Sequence, residues 1–185
     1  MRVIGGEYRG RRLSAPVGDH VRPTSDRVRE AIFDILFSLG GVEGLKVADL
    51  FAGTGALGIE ALSRGAASVT FIDRDPRSIA AIRANLVSAG MVGAESDGDA
   101  AVICADVGSW VASTASHFDV VLCDPPYDFT AWEPLVAKLP GELVVLESGV
   151  ELPSFASWDV LRSRRYGGTI VTVARPERVS EKGVS

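Results

Sequence analysis

From Leu45 to Glu147 short apolar runs alternate with stretches of helical periodicity, and this alternation constrains the fold more than any other property of the chain. Val47 to Phe51 reads as a buried strand, followed by a Gly-rich turn and a helix from about Ala56 to Arg64 that Gly65 closes. Ser68 to Ile72 is a second strand. Asp75-Pro76 then supplies an N-cap and a proline at the first helical position, for a helix running to about Ala89 and ending at Gly90. A polar, acidic loop over Gly93 to Asp99 precedes the strand Ala101 to Cys104, and a short helix near Ser109 to Ala115 leads to the strand Phe118 to Cys123. Thr130 and Glu133 predict a capping box for a helix to about Leu139, and Leu143 to Glu147 is a fifth strand. Finally, Trp158 to Arg164 and Thr169 to Ala174 flank Tyr166-Gly167-Gly168 as an antiparallel hairpin at the sheet edge. The pattern predicts an α/β fold: a mainly parallel seven-stranded sheet, covered on both faces by helices joined through right-handed crossovers. In such sheets ligands bind at the carboxyl ends of the strands.

The chain has 185 residues, which fits one domain, and 46% of them are hydrophobic, enough for a sizeable core. No apolar run approaches the roughly 18 residues of a membrane span. The start, Met1-Arg2-Val3-Ile4-Gly5-Gly6, lacks the apolar stretch of a secretory signal, and two cysteines cannot build a disulfide framework. These features predict a soluble, cytoplasmic protein without a membrane partner, and with no apolar stripe left unassigned, a monomer. Ahead of the sheet, residues 1–13 suggest a small β-hairpin with Arg-bearing positions facing water. Thr24 can cap a helix whose apolar positions Val28, Ala31, Ile32, Ile35, Leu36 and Leu39 share one face, ending at Gly40-Gly41. The organisation expected is an Arg-rich hairpin extension over 1–22, the main domain over 23–175, and a disordered tail over 176–185.

Net charge is −5, which taken whole argues against a nucleic-acid partner. Its distribution points the other way. Residues 1–29 hold seven Arg against three acids, whereas the remainder holds 12 basic against 21 acidic residues. A basic arm on an acidic body is the natural reading, since phosphate binding relies on Lys and Arg.

Asp49-Leu50-Phe51-Ala52-Gly53-Thr54-Gly55-Ala56-Leu57-Gly58 contains G-x-G-x-x-G between a strand and a helix, with Asp73 twenty residues after Gly53. Such glycines let the main chain approach a ligand, and an acid ending the second strand accepts hydrogen bonds from ribose hydroxyls. The spacing alone fits a dinucleotide. However, the strand ends gather Asp49, Asp73, Asp75, Asp106 and Asp124 with no nearby Lys, a rim that would repel a pyrophosphate. It suits S-adenosylmethionine, which carries an adenosine, a free amino group and a sulfonium cation. Asp106, just past the third strand, is then placed to accept from the adenine amino group.

Asp124-Pro125-Pro126-Tyr127 follows the fourth strand. Two prolines stiffen the backbone, so that the Asp124 carboxylate and the Pro125 carbonyl can converge as acceptors on one amino group, while Tyr127 offers a face for a flat base. Accepting both amino hydrogens draws the nitrogen lone pair out of conjugation, which prepares it to attack a methyl group held in line.

The acidic Gly-rich loop together with DPPY resembles the class I methyltransferases that modify exocyclic amines, a Rossmann-like fold. Arg2-Val3-Ile4-Gly5-Gly6, Arg9-Gly10-Arg11-Arg12-Leu13, and Arg22-Pro23-Thr24-Ser25-Asp26-Arg27-Val28-Arg29-Glu30-Ala31 with the Gly-rich loop resemble, in order, the RsmD family of small-subunit ribosomal RNA guanine-N2 methyltransferases. The likeness spans nearly the whole chain. It implies S-adenosylmethionine held by Asp49, Gly53, Gly55, Asp73 and Asp106, with catalysis by Asp124, Pro125 and Tyr127. It further implies one guanine of the small-subunit rRNA as target, within an assembled or nearly assembled subunit. The acidic insertion Gly93 to Asp99 departs from the expected family length.

Arg9, Arg11, Arg22, Thr24 and Arg27 are the expected RNA contacts, because a helix amino terminus with flanking Arg suits phosphate. Otherwise Arg27 and Arg29 are solvated helix-surface charges. Cys104 and Cys123 are expected as buried thiols and Trp110, Trp132 and Trp158 as packing residues. With His20 and His117 remote, no metal site is expected. Two rival functions share these residues: a DNA adenine-N6 methyltransferase, which would also use DPPY, and a catalytically silent RNA-binding assembly factor.

Overall fold

A computed structural model describes residues 1–14, 25–91, 93–95, 98–155 and 157–177. Twelve elements follow in chain order among them: α1 (Asp26–Ser38), β1 (Lys46–Leu50), α2 (Ala56–Ser63), β2 (Ser68–Asp73), α3 (Pro76–Ala89), β3 (Ala100–Cys104), α4 (Val107–Ser113), β4 (Phe118–Cys123), α5 (Trp132–Val136), β5 (Gly141–Ser148), β6 (Trp158–Tyr166) and β7 (Thr169–Pro176). The strands form one sheet in the order β3-β2-β1-β4-β5-β7-β6. β1 to β5 are parallel, β7 runs antiparallel to β5, and β6 runs antiparallel to β7. This is the seven-stranded α/β sheet that the alternation predicts. The strand order reverses between β1 and β4, so the crevice that binds ligands in such sheets opens above these two strands.

Alternation along the strands sends side chains to two cores. On one face Val47, Val69, Val120 and Val145 pack beneath Ile32 of α1, Ile59 of α2 and Ile82 of α3. On the other, Ala48, Leu50, Val121 and Leu146 pack against Val107 and Val111 of α4 and Trp132 and Leu135 of α5. The β1 run is buried on both faces, as expected of a central parallel strand.

Local signals set most boundaries. Asp75 caps α3 by accepting from the Arg77 N–H at 2.9 Å, Pro76 occupies the first turn, and Gly90 ends the helix at φ 91°. Elsewhere the structure departs from the sequence reading. α1 is capped by Ser25, whose hydroxyl accepts from the Val28 N–H at 3.3 Å, while Thr24 lies outside the described residues. Phe33 is buried in place of Leu39, which ends the helix in solvent. The Thr130–Glu133 capping box does not form: α5 starts one residue later, with Ala131 at the N-cap, so Glu133 falls at N2, not the N3 position from which it would reach back. Cys104 is exposed because β3 is an edge strand, whereas Cys123 is buried. Trp132 is buried, with Trp110 and Trp158 packed partly against the same core. Pro176 completes β7, and 178–185 lie outside the described residues.

The amino-terminal residues fold as the expected small hairpin, with one antiparallel bridge between Arg2 and Arg12. Val3 donates to the Arg11 carbonyl at 2.9 Å and Leu13 to the Met1 carbonyl at 3.0 Å. Arg9 and Arg11 face solvent, but Val3 and Leu13 are buried in the core beneath α1 to α3. The hairpin is fixed by Glu60 of α2, whose carboxylate oxygens accept from the Ile4 and Gly5 N–H groups, each at 2.8 Å. Arg29 is fully buried, so its reading as a solvated helix charge is corrected. Its guanidinium pairs with Asp26 at 2.9 Å, lies 3.9 Å from Glu60 and donates to the Arg2 carbonyl. Burial pulls its pKa down while these acids hold it up. Asn85 of α3 adds a second clamp, accepting from Ser14 and donating to the carbonyls of Ser14 and Thr54.

Candidate active site

β1 ends at Leu50, and the chain reverses through Phe51, among the described residues the one non-glycine with positive φ, at 58°. A bulky residue in this region is strained and occurs mainly where function requires it. The Phe51 ring is held edge-on to Phe129, which packs edge-on against Trp132. Gly53 and Gly55 follow at φ 54° and 75°, conformations that disfavour side chains. Gly58 serves a different purpose, since a Cβ there would lie 2.3 Å from the buried Phe71 ring, so it permits α2 to pack closely on β2.

Two carboxylates fasten this loop. Asp49, on the α2 side of β1, accepts from the Gly58 N–H at 2.9 Å. Asp73, at the end of β2, accepts from the Gly53 N–H and, with its other oxygen, from the Asp75 N–H, both at 2.8 Å. Each oxygen retains a lone pair for a further donor. Burial pushes the Asp49 carboxyl well above its ordinary pKa; the Gly58 N–H opposes this, and the nearby Asp124 and Asp73 charges add to it.

Asp106 caps α4, accepting from the Ser109 N–H at 2.9 Å and its hydroxyl at 3.0 Å, bonds that hold its carboxyl below the ordinary value. β4 delivers the DPPY segment. The Asp124 N–H donates to the Leu50 carbonyl at 3.3 Å, tying this segment to the Gly-rich loop, and Phe129 closes a turn onto the Pro126 carbonyl at 2.9 Å. Pro125 is buried and Tyr127 is 63% exposed, leaving its ring available. Its hydroxyl lies 3.1 Å from that of Thr169, and its ring packs over Gly149, where a Cβ would approach to 2.7 Å.

A cleft of about 920 Å³ unites these parts, lined by Asp49, Gly53, Asp73, Asp106, Asp124, Pro125 and Tyr127. Among the predicted cofactor and catalytic residues only Gly55 does not line it directly; it starts α2 beneath the loop. A smaller recess opens on the other side of Asp124 and Tyr127, walled by Glu147, Gly149 and Thr169. Arg9, Arg11 and Arg27 are exposed away from these lining residues, and Arg22 and Thr24 lie outside the described residues.

Several contributors escaped the sequence reading. Arg74 lines the cleft as a cation among carboxylates; its place directly after Asp73 was a readable signal. Phe51, Phe129, Glu147, Gly149 and Thr169 had none, because a left-handed phenylalanine and pairings across β5 and β7 depend on tertiary register. Cys123 lies below the site, and burial pushes its thiol well above the ordinary value, helped by the Asp124, Asp49 and Glu147 charges.

The family model described as Conserved hypothetical protein 95 matches residues 1–175. The Escherichia coli K12 protein named Ribosomal RNA small subunit methyltransferase D is 34% identical over 177 residues, 90% of this chain and 85% of that protein. The chain belongs to the RsmD family. The Haemophilus influenzae member of the same name is 32% identical, covering 90% of this chain and 89% of its own. The solved Escherichia coli yhhF structure superposes with a TM-score of 0.80 at 33% identity, over 96% of this chain and 98% of that one. The fold extends further: a ribosomal protein L11 methylase from Lactobacillus delbrueckii superposes at a TM-score of 0.62 with 19% identity, over 83% of this chain and 80% of that one. RsmD family membership and the Rossmann-like methyltransferase fold therefore agree with the DPPY-bearing cleft.

Proposed function

We propose that this protein transfers the methyl group of S-adenosylmethionine to the exocyclic N2 of a guanine in small-subunit ribosomal RNA, acting on the assembled or nearly assembled subunit. The relatives' names support the rRNA substrate, and the continuous cleft that brings the Gly-rich loop and Asp124–Tyr127 together supports the methyl transfer to an amine. The residues present fit the cofactor. The main chain at Gly53, which lines the cleft, is left-handed and carries no side chain to obstruct a ligand, while a Cβ at Gly55 would meet the buried Ile82 at 3.1 Å, so Gly55 lets the loop lie close on the core. Among the described residues lining the cleft, carboxylates outnumber the one cation, Arg74, which favours a cationic ligand over a pyrophosphate.

In this reading Asp73 accepts from the ribose hydroxyls through lone pairs that its two loop bonds leave open. Asp106 faces the base portion, and Asp49 and the glycines shape the floor. When bound, S-adenosylmethionine supplies a methyl group made electrophilic by the sulfonium. Asp124 and the Pro125 carbonyl accept the two hydrogens of the target amine and orient its lone pair into the cleft. That proton becomes acidic only once the nitrogen is alkylated, so no strong base is required beforehand. Tyr127 stacks on the guanine, which must leave its own stack at a cost of a few kcal/mol unless the RNA already exposes it. Arg9, Arg11, Arg22, Thr24 and Arg27 would hold the RNA. The hairpin over 1–22, the catalytic unit over 23–175 and the tail over 176–185 are the proposed divisions, in a monomeric cytoplasmic enzyme.

Asp124→Ala tests the mechanism. Methyl transfer to small subunits, followed by nucleoside analysis, should fall by about 10²–10³-fold, the cost typical of removing one positioned polar group. Calorimetric affinity for S-adenosylmethionine should stay within a few-fold. Undiminished transfer would overturn the assignment, and methylation of DNA adenine in place of rRNA guanine would overturn the substrate.

A further inference from the structure

The sheet ends on β6, an edge strand whose outer side has no partner among the described residues. Arg162, Arg164 and Arg165 are exposed on it, and among the described residues no carboxylate pairs with any of them. The sign of these charges requires explanation. Charged side chains protect a sheet edge from pairing with other chains whichever sign they carry. Yet residues 30–157 hold six basic against eighteen acidic residues, whereas 158–177 hold four basic against two acidic. Of those four, Arg175 is paired with Asp159 at 3.3 Å, at the end of the hairpin far from the site.

Register places the unpaired charges. Arg162 is opposite Val173 and Arg164 opposite Val171, and directly opposed residues project to the same side. Val171 and Val173 belong to the core on the α1 to α3 face of the sheet, so Arg162 and Arg164 extend that same face to the sheet edge. The 3.2 Å contact between the Ser163 and Thr172 hydroxyls fixes this register independently. Arg164 lies over the Tyr166 ring at 5.6 Å, which leaves its guanidinium edge to solvent. β6 also climbs towards the site: Tyr166 pairs with Thr169, whose hydroxyl meets Tyr127, and Arg165, opposite Ile170 and so on the other face of the edge from Arg162 and Arg164, is two strands from Ser148, about 10 Å at ordinary strand spacing.

We propose that the β6 edge, through Arg162, Arg164 and Arg165, binds phosphates of the RNA that flanks the target base, on the side of the Tyr127 recess away from the cofactor cleft. The inference rests on the rRNA substrate proposed above.

The test is the salt dependence of binding to small-subunit rRNA by the full chain carrying R162Q, R164Q and R165Q together. The slope of log Kd against log salt should shrink by about 2, at about 0.7 per lost single-strand phosphate contact, and KM for subunit methylation should rise. Lysine at the same three positions should restore the slope. R175Q, already paired, should leave it unchanged. S-adenosylmethionine affinity and the thermal midpoint of each variant report folding, and single R162Q and R164Q variants carry the same prediction at about 0.7 each should the triple variant unfold. An unchanged slope in folded variants overturns the β6 assignment. A slope unchanged on naked rRNA, with transfer lost only on subunits, overturns it also, in favour of a ribosomal protein contact. Failure of the wild type to methylate small subunits would instead refute the substrate reading itself.

Discussion

Two buried carboxylates, Glu60 on α2 and Asp49 on β1 beside it, are used in opposite ways. Glu60 accepts from two backbone N–H groups of the amino-terminal hairpin and from Arg64 at 2.8 Å, with the buried Arg29 guanidinium 3.9 Å away. Asp49, on the strand in front of the helix, accepts from a single backbone N–H and has two further carboxylates as its charged neighbours. The first acid is saturated by donors and cations, which makes it a structural rivet. The second is kept poor in partners, so its ionised form is costly until something cationic or donating enters the cleft. α2 therefore carries a stabilised acid towards the hairpin and, through the Gly58 N–H, meets a destabilised one on β1 towards the ligand.

The largest effect should come from Glu60→Ala. It leaves two backbone N–H groups without their acceptor and takes away the carboxylate 3.9 Å from the buried Arg29, which keeps only Asp26 as its acid, and breaking a buried pair by removing one partner costs about 3–5 kcal/mol. Denaturant midpoints at pH 7 measure this; a loss below about 1 kcal/mol, the scale of an exposed pair, would show that Glu60 is not the rivet. Gly58→Ala comes next. Its Cβ would press on Phe71, which is fully buried and has no room to yield, so overpacking should cost about 1–3 kcal/mol and weaken cofactor binding by shifting the loop. An unaffected midpoint would mean that α2 can slide on the sheet, and the cleft side would then be soft.

Ser63→Ala returns to the hairpin side with a smaller effect. The Ser63 hydroxyl donates to the Gly5 carbonyl at 2.6 Å and accepts from the Tyr8 N–H at 3.0 Å, and losing two such bonds should cost about 1–2 kcal/mol. If the hairpin is an independent flap, amide exchange of Tyr8 will already be fast in the wild type and Ser63→Ala will not alter it.

What the sequence reveals of this arrangement divides along physical lines. α3 was legible to its last residue because Asp75, Pro76 and Gly90 act within one turn of where they stand. The Gly-rich loop and DPPY were legible because their chemistry is carried by contiguous residues on adjacent strands, β1 and β4, and the topology brings such strand ends together. Arg29 was misread because burial of an arginine depends on acids 3 and 31 residues away arriving together, a coincidence that periodicity does not encode. The recess wall was illegible for a related reason: Tyr127 meets Thr169 across 42 residues, through the antiparallel return of β7. The −5 net charge concealed the most, since it averaged a basic amino-terminal stretch over an acidic remainder.

Asp49→Asn should have the smallest effect on stability at neutral pH, and its sign distinguishes the two acids. The folded pKa of Asp49 lies above the unfolded value of about 3.8, so the folded state binds its proton more tightly. Stability from this group is therefore complete below the unfolded value and is lost as pH rises from there towards the folded pKa. Asparagine can still accept from Gly58 but does not ionise, so the variant should lack this loss and be as stable as the wild type, or slightly more so, above that window. Parallel midpoint-against-pH curves for the two proteins would remove the asymmetry on which the contrast with Glu60 rests. Affinity for S-adenosylmethionine should move in the opposite sense. A cation in the cleft favours the ionised carboxylate, so the wild type should bind it more tightly as pH rises through the same window, and the variant should bind it more weakly without that dependence. Stability gained and affinity lost by one substitution would identify Asp49 as an acid held at a cost for its ligand, where Glu60 is held for the fold.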